Sequence, residues 1–367
     1  MSRRRSAQLP DFPWDTLAAA KARAQLHPDG IVDLSVGTPV DPTPELGRQA
    51  LAAAADSPGY PLTSGTEALR TAIANYLIRR WGASGLQPTA TLPVIGTKEL
   101  VAWLPTLLGL GPDDLVVYPE VAYPTYAVGA ALAGCRGVAC DDLDSLGDDR
   151  PALVWLNSPA NPTGQILTSA TLAARVAWAR ERGALVAADE CYGEFGWDAE
   201  PVSVLHPDVC DGDHTGLLGV HSLSKTSNTA GYRAAYVAGD PSLVAALLAV
   251  RKHAGMIVPR PVQAALQAAV SDDAHVAAQA STYERRRQRL RSGLEAFGLK
   301  IEHSLAGLYL WCTEDEHCRT TVDRLAERGI LVAPGEFYGP AGARHVRVAL
   351  TASDERIEAA ATRLGAE

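Results

Sequence analysis

Leu217-Leu-Gly-Val-His221-Ser222-Leu-Ser-Lys225-Thr-Ser-Asn-Thr-Ala-Gly231-Tyr-Arg233 is an apolar run of strand length that ends in two serines flanked by cations. A lysine amine is protonated at neutral pH and needs desolvation, a neighbouring positive charge or an aldehyde partner to act as a nucleophile. Here the hydroxyls of Ser222 and Ser224 and the guanidinium of Arg233 suit an anion beside such a lysine. The competing reading is a polar surface loop with an ordinary lysine, and the stretch alone does not decide between them.

The same pattern recurs outward along the chain. Leu92–Ile95, Leu115–Tyr118, Leu153–Leu156, Ala184–Ala188, Leu217–His221 and Ala234–Ala238 read as buried strands, with amphipathic helices such as Thr171–Arg182 between several of them. Near-continuous apolar strands alternating with helices predict an α/β unit whose mainly parallel sheet is covered on both faces. Ser64-Gly-Thr-Glu67 predicts a capping box ahead of a helix that Gly82 stops. From about residue 275 the texture changes. A basic helix (Tyr283-Glu-Arg-Arg-Arg-Gln-Arg-Leu-Arg) precedes short strands at Gly307–Cys312, Ile330–Ala333 and His345–Leu350, which predicts a smaller α+β domain. The expected division is an N-terminal arm and part of the small domain over 1–47, a large domain over 48–255, and the C-terminal small domain over 256–367.

Composition sets bounds on what the chain does. Of 367 residues, 47% are hydrophobic and 20% charged, as in ordinary globular proteins, and the net charge of −9 argues against a nucleic-acid partner. The arginine run on the basic helix reads as a solvated face. Six cysteines form no C-x-x-C pair and no zinc spacing, so reduced thiols of a cytoplasmic protein are expected and no metal. Cys312 and Cys318 beside His317 are the one grouping a metal could use. The start, Met1-Ser-Arg-Arg-Arg, has the charge of a signal-peptide opening but no apolar run follows it. No apolar run reaches the ~18 residues of a spanning helix, so no membrane contact is expected.

In open α/β sheets, ligands collect beyond the carboxyl ends of the strands. Five successive strands here run into polar or aromatic groups: Gly96-Thr97-Lys98-Glu99, then Tyr123 and Tyr126, then Asn157 to Gly164, then Asp189-Glu190-Cys191-Tyr192, then Ser222 to Lys225. A glycine turn opening a helix, as at Gly96, offers free N–H groups to a phosphate. An acid, an amide, phenols and a lysine at one sheet edge have complementary roles.

With these residues in view, the chain resembles the fold-type I, pyridoxal-phosphate-dependent aminotransferases of class I/II. The motifs that carry the resemblance are N-P-T-G (161–164), D-E-C-Y (189–192), S-L-S-K (222–225) and V-R-V-A-L (346–350), and it runs from about residue 10 to about 361. It implies a large domain with a mostly parallel seven-stranded sheet, pyridoxal 5'-phosphate as cofactor, and a homodimer. It further implies that Lys225 holds the cofactor aldehyde and later carries the substrate Cα proton, while Asp189 faces the ring nitrogen. Asn161 and Tyr192 would hydrogen-bond the ring's phenolic oxygen and Tyr123 would stack on the ring. Thr97, Lys98, Ser222 and Arg233 would hold the phosphate, with Tyr60 reaching it from the partner subunit. Gly37 and Asn161 would lie on the substrate side, and Arg347 would bind the substrate α-carboxylate.

A closer resemblance is to the actinobacterial N-succinyldiaminopimelate aminotransferases, carried by residues 9–17, 29–42, 96–111 and 212–225. It implies glutamate as donor and N-succinyl-2-amino-6-oxopimelate as acceptor, in lysine and diaminopimelate biosynthesis. Thr226 departs from the basic residue expected there. Both substrates carry a remote carboxylate, for which Arg251, Lys252, Arg260 or a residue of the partner subunit are candidates. Another class I aminotransferase, such as an aspartate enzyme, or a C–S β-lyase would use the same cofactor set. A DNA-binding regulator would need a basic helix-turn-helix segment, and fewer than sixty residues precede Tyr60.

Overall fold

The computed structural model describes residue 9 and residues 13–366. The basic opening Met1 to Arg5, and residues 10–12 of the segment 9–17, lie outside the described residues. Strand β1 (Val32–Asp33) comes first. It is followed by β2 (Thr91–Ile95), β3 (Leu115–Tyr118), β4 (Arg136–Ala139), β5 (Leu153–Asn157), β6 (Leu185–Asp189), β7 (Leu217–Ser222) and β8 (Ala234–Gly239). Strands β2 to β8 form one seven-stranded sheet in the order β2-β8-β7-β6-β5-β3-β4. Only β8 runs against its neighbours; the pairs β3–β4, β3–β5, β5–β6 and β6–β7 are parallel.

Burial on both faces explains why these strands read as unbroken apolar runs. Leu115, Val117, Val154, Leu156, Val186 and Ala188 point into the cluster on one face. Val116, Leu153, Trp155, Ala187, Leu218 and Val220 point into the cluster on the other. Strand β4 is the exception and is absent from the sequence reading. Its residues Arg-Gly-Val-Ala lie on the sheet edge, largely exposed, so nothing selects for an apolar run there.

Helices start where their caps allow. The helix Glu67–Trp81 begins at Thr66, whose Oγ1 accepts from the Leu69 N–H at 3.1 Å, and not at Ser64 as the capping-box reading predicts. Gly65 has φ +77°, so it cannot be the first helical residue that a Ser64 cap requires. Gly82, at φ +63°, ends the helix as expected.

The remaining strands are β9 (Lys300–Glu302), β10 (Tyr309–Thr313), β11 (Ile330–Leu331), β12 (Ala333–Pro334) and β13 (His345–Ala349). An antiparallel sheet β12-β13-β10-β9 forms a smaller α+β part, while β1 pairs in parallel with β11. The single strand expected at 330–333 is therefore two, divided at Val332 because its halves pair with different partners. One apolar cluster joins Leu17–Leu34 to residues 290–364 and also takes in Cys191, Tyr192 and Phe195 from the large part. Helix Arg260–Val270 contributes Leu266, Ala269 and Val270 to the large sheet's cluster.

The arginine run on helix Ala274–Ala296 is only partly a solvated face, which corrects the sequence reading. Arg286 is buried between Asp41 (2.6 and 2.7 Å) and Asp354 (2.6 Å), and Arg287 is buried against Asp198. These pairs fasten residues 41, 198 and 354 to one helix. Among the described residues no helix is long and apolar enough to cross a membrane.

A second buried pair fixes the helix that opens at the sheet edge. Arg251, with no exposed surface, makes a two-pronged contact with Glu99 of helix Thr97–Leu107 at 2.9 and 3.2 Å. Removing one partner leaves a charge in a low-dielectric setting without its counter-ion. Glu99→Ala is expected to lower unfolding stability by about 3 kcal/mol, read from urea denaturation of the purified protein.

Candidate active site

The carboxyl ends of β2, β3, β5, β6 and β7 open on a cavity of about 470 Å³. Its wall contains Gly37, Thr97, Lys98, Tyr123, Asn161, Asp189, Tyr192, Ser222, Lys225, Arg233 and Arg347, every residue given a cofactor, catalytic or substrate-side role from the sequence except Tyr60. Tyr60 is 100% exposed and lies away from this wall.

One end of the cavity is built for an anion. Strand β2 leads into Gly96, whose φ of +77° and missing side chain let the Arg233 guanidinium lie against it; a Cβ there would overlap the guanidinium. Arg233 itself sits in the left-handed region (φ +59°) and donates to the Ala230 carbonyl at 2.7 Å. Helix Thr97–Leu107 starts at this point, so its free N–H groups and positive dipole end face the cavity. Ser222 completes the rim, its Oγ accepting from the Ser224 N–H at 3.1 Å. Lys98 is exposed at the edge.

The opposite wall carries a buried acid. Asp189 ends β6; its Oδ2 accepts from the Tyr126 hydroxyl at 2.9 Å and its Oδ1 from the Cys191 N–H at 3.2 Å. Burial pushes the Asp189 carboxyl above its ordinary range, and the donors from Cys191 and Tyr126 pull the other way. Tyr123 packs edge-on to Tyr126, ring centroids 6.0 Å apart, and burial pushes its phenol up to about 12.

Lys225 lies between these ends. Burial lowers its amine pKa, and the nearby charges of Arg347 and Arg233 lower it further, against an opposing effect of Tyr309. Its Nζ donates to the Gly37 carbonyl. Gly37 also lies so close to the Tyr309 ring that no Cβ would fit. The expected substrate-side loop is thus tied to the lysine by its backbone.

Arg347 faces the cavity from β13, alternating with the buried Val346 and Val348. Its Nη1 donates to Asn161 Oδ1 (2.9 Å), its Nη2 to the Ser35 carbonyl (2.7 Å), and its guanidinium stacks 3.9 Å from the Tyr309 ring centroid. Tyr192 and Tyr309 join hydroxyls at 2.9 Å. Tyr309 and Trp14 are not singled out by the sequence reading, and Tyr126 is placed at the sheet edge without its contact to Asp189. Tyr309 sits on β10 next to β13, and only that pairing brings it to the site. Trp14 comes from the far N-terminal segment 9–17, which carries the closer resemblance but assigns it no role in the site.

Other expectations are corrected. Arg251 cannot bind a remote substrate carboxylate, since Glu99 already occupies its guanidinium. Lys252 and Arg260 do not line the cavity. Thr226 is buried outside the cavity wall, donating to the Ser222 carbonyl at 3.4 Å. Cys312 is buried on β10 and takes no part in a metal-like grouping. Among the described residues His317, Cys318 and Glu336 do approach one another, but Glu336 is held by Arg319 at 2.6 Å.

An amide-and-guanidinium cradle, a buried carboxylate and a lysine of lowered pKa are the donor set that pyridoxal phosphate needs for its phosphate, ring nitrogen and aldehyde. The family model for aminotransferase class I and II matches residues 29–364. A probable aminotransferase of Mycobacterium tuberculosis is 64% identical over 98% of this chain and 86% of its own length. The 4-dedimethylamino-4-oxo-anhydrotetracycline transaminase OxyQ of Streptomyces rimosus is 57% identical over 97% of this chain and 99% of its own. Among solved structures, a probable N-succinyldiaminopimelate aminotransferase from Thermus thermophilus is 29% identical, with a TM-score of 0.86 over 96% of this chain and 99% of the other. The chain therefore belongs to the class I and II aminotransferases, of fold type I and dependent on pyridoxal phosphate.

Proposed function

We propose that this aminotransferase moves the amino group of glutamate to N-succinyl-2-amino-6-oxopimelate, giving N-succinyl-LL-2,6-diaminopimelate and 2-oxoglutarate in the cytoplasm. The observation that carries an α-amino-acid substrate is Arg347. It is buried in the cavity wall, and among the described residues no carboxylate lies within ion-pair distance of it. A buried guanidinium without a counter-ion is costly, and its planar fork matches a carboxylate. The diaminopimelate acceptor is supported by the Thermus structural neighbour, named a probable N-succinyldiaminopimelate aminotransferase.

When bound, pyridoxal phosphate supplies the electron sink that makes the substrate Cα acidic. The chain's own residues do the rest. Lys225, its amine pKa lowered by burial, takes the proton from Cα and returns it at the acceptor carbon. Asp189 holds the charge opposite the ring nitrogen, and Tyr192 and Asn161 orient the phenolic side. Thr97, Ser222 and Arg233 hold the phosphate, with Lys98 at the rim. Tyr60, fully exposed in the single chain, reaches the phosphate of the partner's site in a homodimer.

A second reading has one observation in its favour. Apart from Arg347, the substrate side of the cavity is walled by Trp14, Val36, Tyr123, Tyr192 and Tyr309, none of them charged. That lining suits a bulky cyclic ketone, the kind of acceptor named for the Streptomyces rimosus relative.

An acceptor panel with glutamate as donor decides between them. Highest kcat/KM is expected with the succinylated keto acid; transfer confined to polycyclic ketones supports the second reading. Pyruvate released from cystathionine without any keto acid would instead mark a C–S lyase. Arg347→Ala should lower kcat/KM for glutamate about a hundredfold or more, the cost of losing one partner of a buried charge pair. Lys225→Ala should abolish the visible absorbance of the reconstituted protein and the borohydride-trapped mass on residue 225. Its circular dichroism and melting profile should stay those of a folded protein.

A further inference from the structure

Asp189 is the one carboxylate of the cavity wall, and a side chain outside the motif roles sets its state together with a backbone N–H. Tyr126 is wholly buried and donates its hydroxyl to Oδ2 at 2.9 Å. Its ring is held flat against Trp155, centroids 5.0 Å apart at 30°, so the hydroxyl has little freedom to turn elsewhere. Cys191 lies two residues beyond Asp189 and also lines the cavity. Its backbone N–H donates to Oδ1 at 3.2 Å, so each carboxylate oxygen has a donor.

We propose that Tyr126 is a positioning residue that, together with the backbone N–H of Cys191, keeps Asp189 ionised and aimed into the cavity. Desolvation alone drives a buried carboxyl to take up a proton, and a neutral Asp189 could not hold a proton on the ring nitrogen. Hydrogen bonds to the ionised form oppose this, each worth more where water is excluded. Simple packing would account for an aromatic ring beside Trp155, but it does not require a hydroxyl ending 2.9 Å from Oδ2. The inference rests on use of pyridoxal phosphate, not on the identity of the acceptor.

Tyr126→Phe and Trp155→Phe, each reconstituted with pyridoxal phosphate, test it. The readouts are the pH midpoint of the visible band, the cofactor Kd from equilibrium dialysis, and Tm. A less firmly ionised Asp189 weakens the positive charge on the ring nitrogen, so the nitrogen of Lys225 keeps its proton to higher pH. In Tyr126→Phe the midpoint should rise by about one pH unit and the cofactor Kd by about tenfold, the size of one lost charge-assisted hydrogen bond. Trp155→Phe, which loosens the ring contact that holds the Tyr126 hydroxyl, should shift both in the same direction by less. Unchanged midpoints in folded, cofactor-loaded variants would overturn the proposal, whatever happens to Tm. Should Tyr126→Phe fail to fold, Trp155→Phe decides by the same readout. A failed acceptor panel leaves these spectra untouched, so the two readings fall separately.

Discussion

Besides the exposed Lys98 at the rim, three cationic side chains, Lys225, Arg233 and Arg347, share a cavity wall with a single carboxylate, Asp189. Each of these three is at least half-buried, and none of them has a carboxylate of its own among the described residues. Such an excess is unfavourable in the protein alone, because burial strips the hydration that steadies a charge. The cost shows in Lys225, whose pKa falls chiefly through desolvation and then through the two guanidiniums. A phosphate at Arg233 and a carboxylate at Arg347 would restore the balance. The site is electrostatically complete only with both, and the lowered amine follows from the same imbalance.

The fold keeps these charges apart yet converging. Parallel strands deliver Asp189 from β6 and Lys225 just after β7, while the turn into the reversed strand β8 delivers Arg233. Arg347 comes from the smaller antiparallel sheet, where its register partner Trp311 lies on the same strand as Tyr309. Gly37, near β1, touches both Lys225 and Tyr309. Two glycines make the approach feasible. Gly96 gives room to a guanidinium and Gly37 to a tyrosine ring, and a side chain at either would force charges and rings apart.

What could be read from the sequence follows from this construction. Strands buried on both faces leave apolar runs, so six of the seven large-sheet strands were legible, and the motif residues at their ends fell into one cavity. Edge strand β4 left no such run. The split at Val332 was invisible because one apolar segment serves two sheets. The arginine run misled because only the fold shows that Arg286 and Arg287 meet Asp41, Asp354 and Asp198. Tyr126 and Tyr309 lie outside the motifs, and their contacts with Asp189 and Arg347 span 63 and 38 positions of the chain. Tertiary pairing, rather than spacing, gives them their roles.

Behind the cavity lies a further buried pair whose neutrality protects the arrangement. Glu190 and His221 meet at 3.3 Å with almost no exposed surface, and the Val204 N–H donates to the other Glu190 oxygen. Desolvation pushes the Glu190 carboxyl up to about 8 and holds the His221 imidazole down to about 3, so both are uncharged at neutral pH. Asp189 adds to the shift of its neighbour Glu190, since two adjacent carboxylates do not ionise with equal ease. The two neighbours differ in what they face. Asp189 receives a hydroxyl and a backbone N–H and opens on a cavity rich in cations, whereas Glu190 faces a neutral ring. The order of ionisation is thereby set by environment, and the negative charge settles on the acid at the cavity wall.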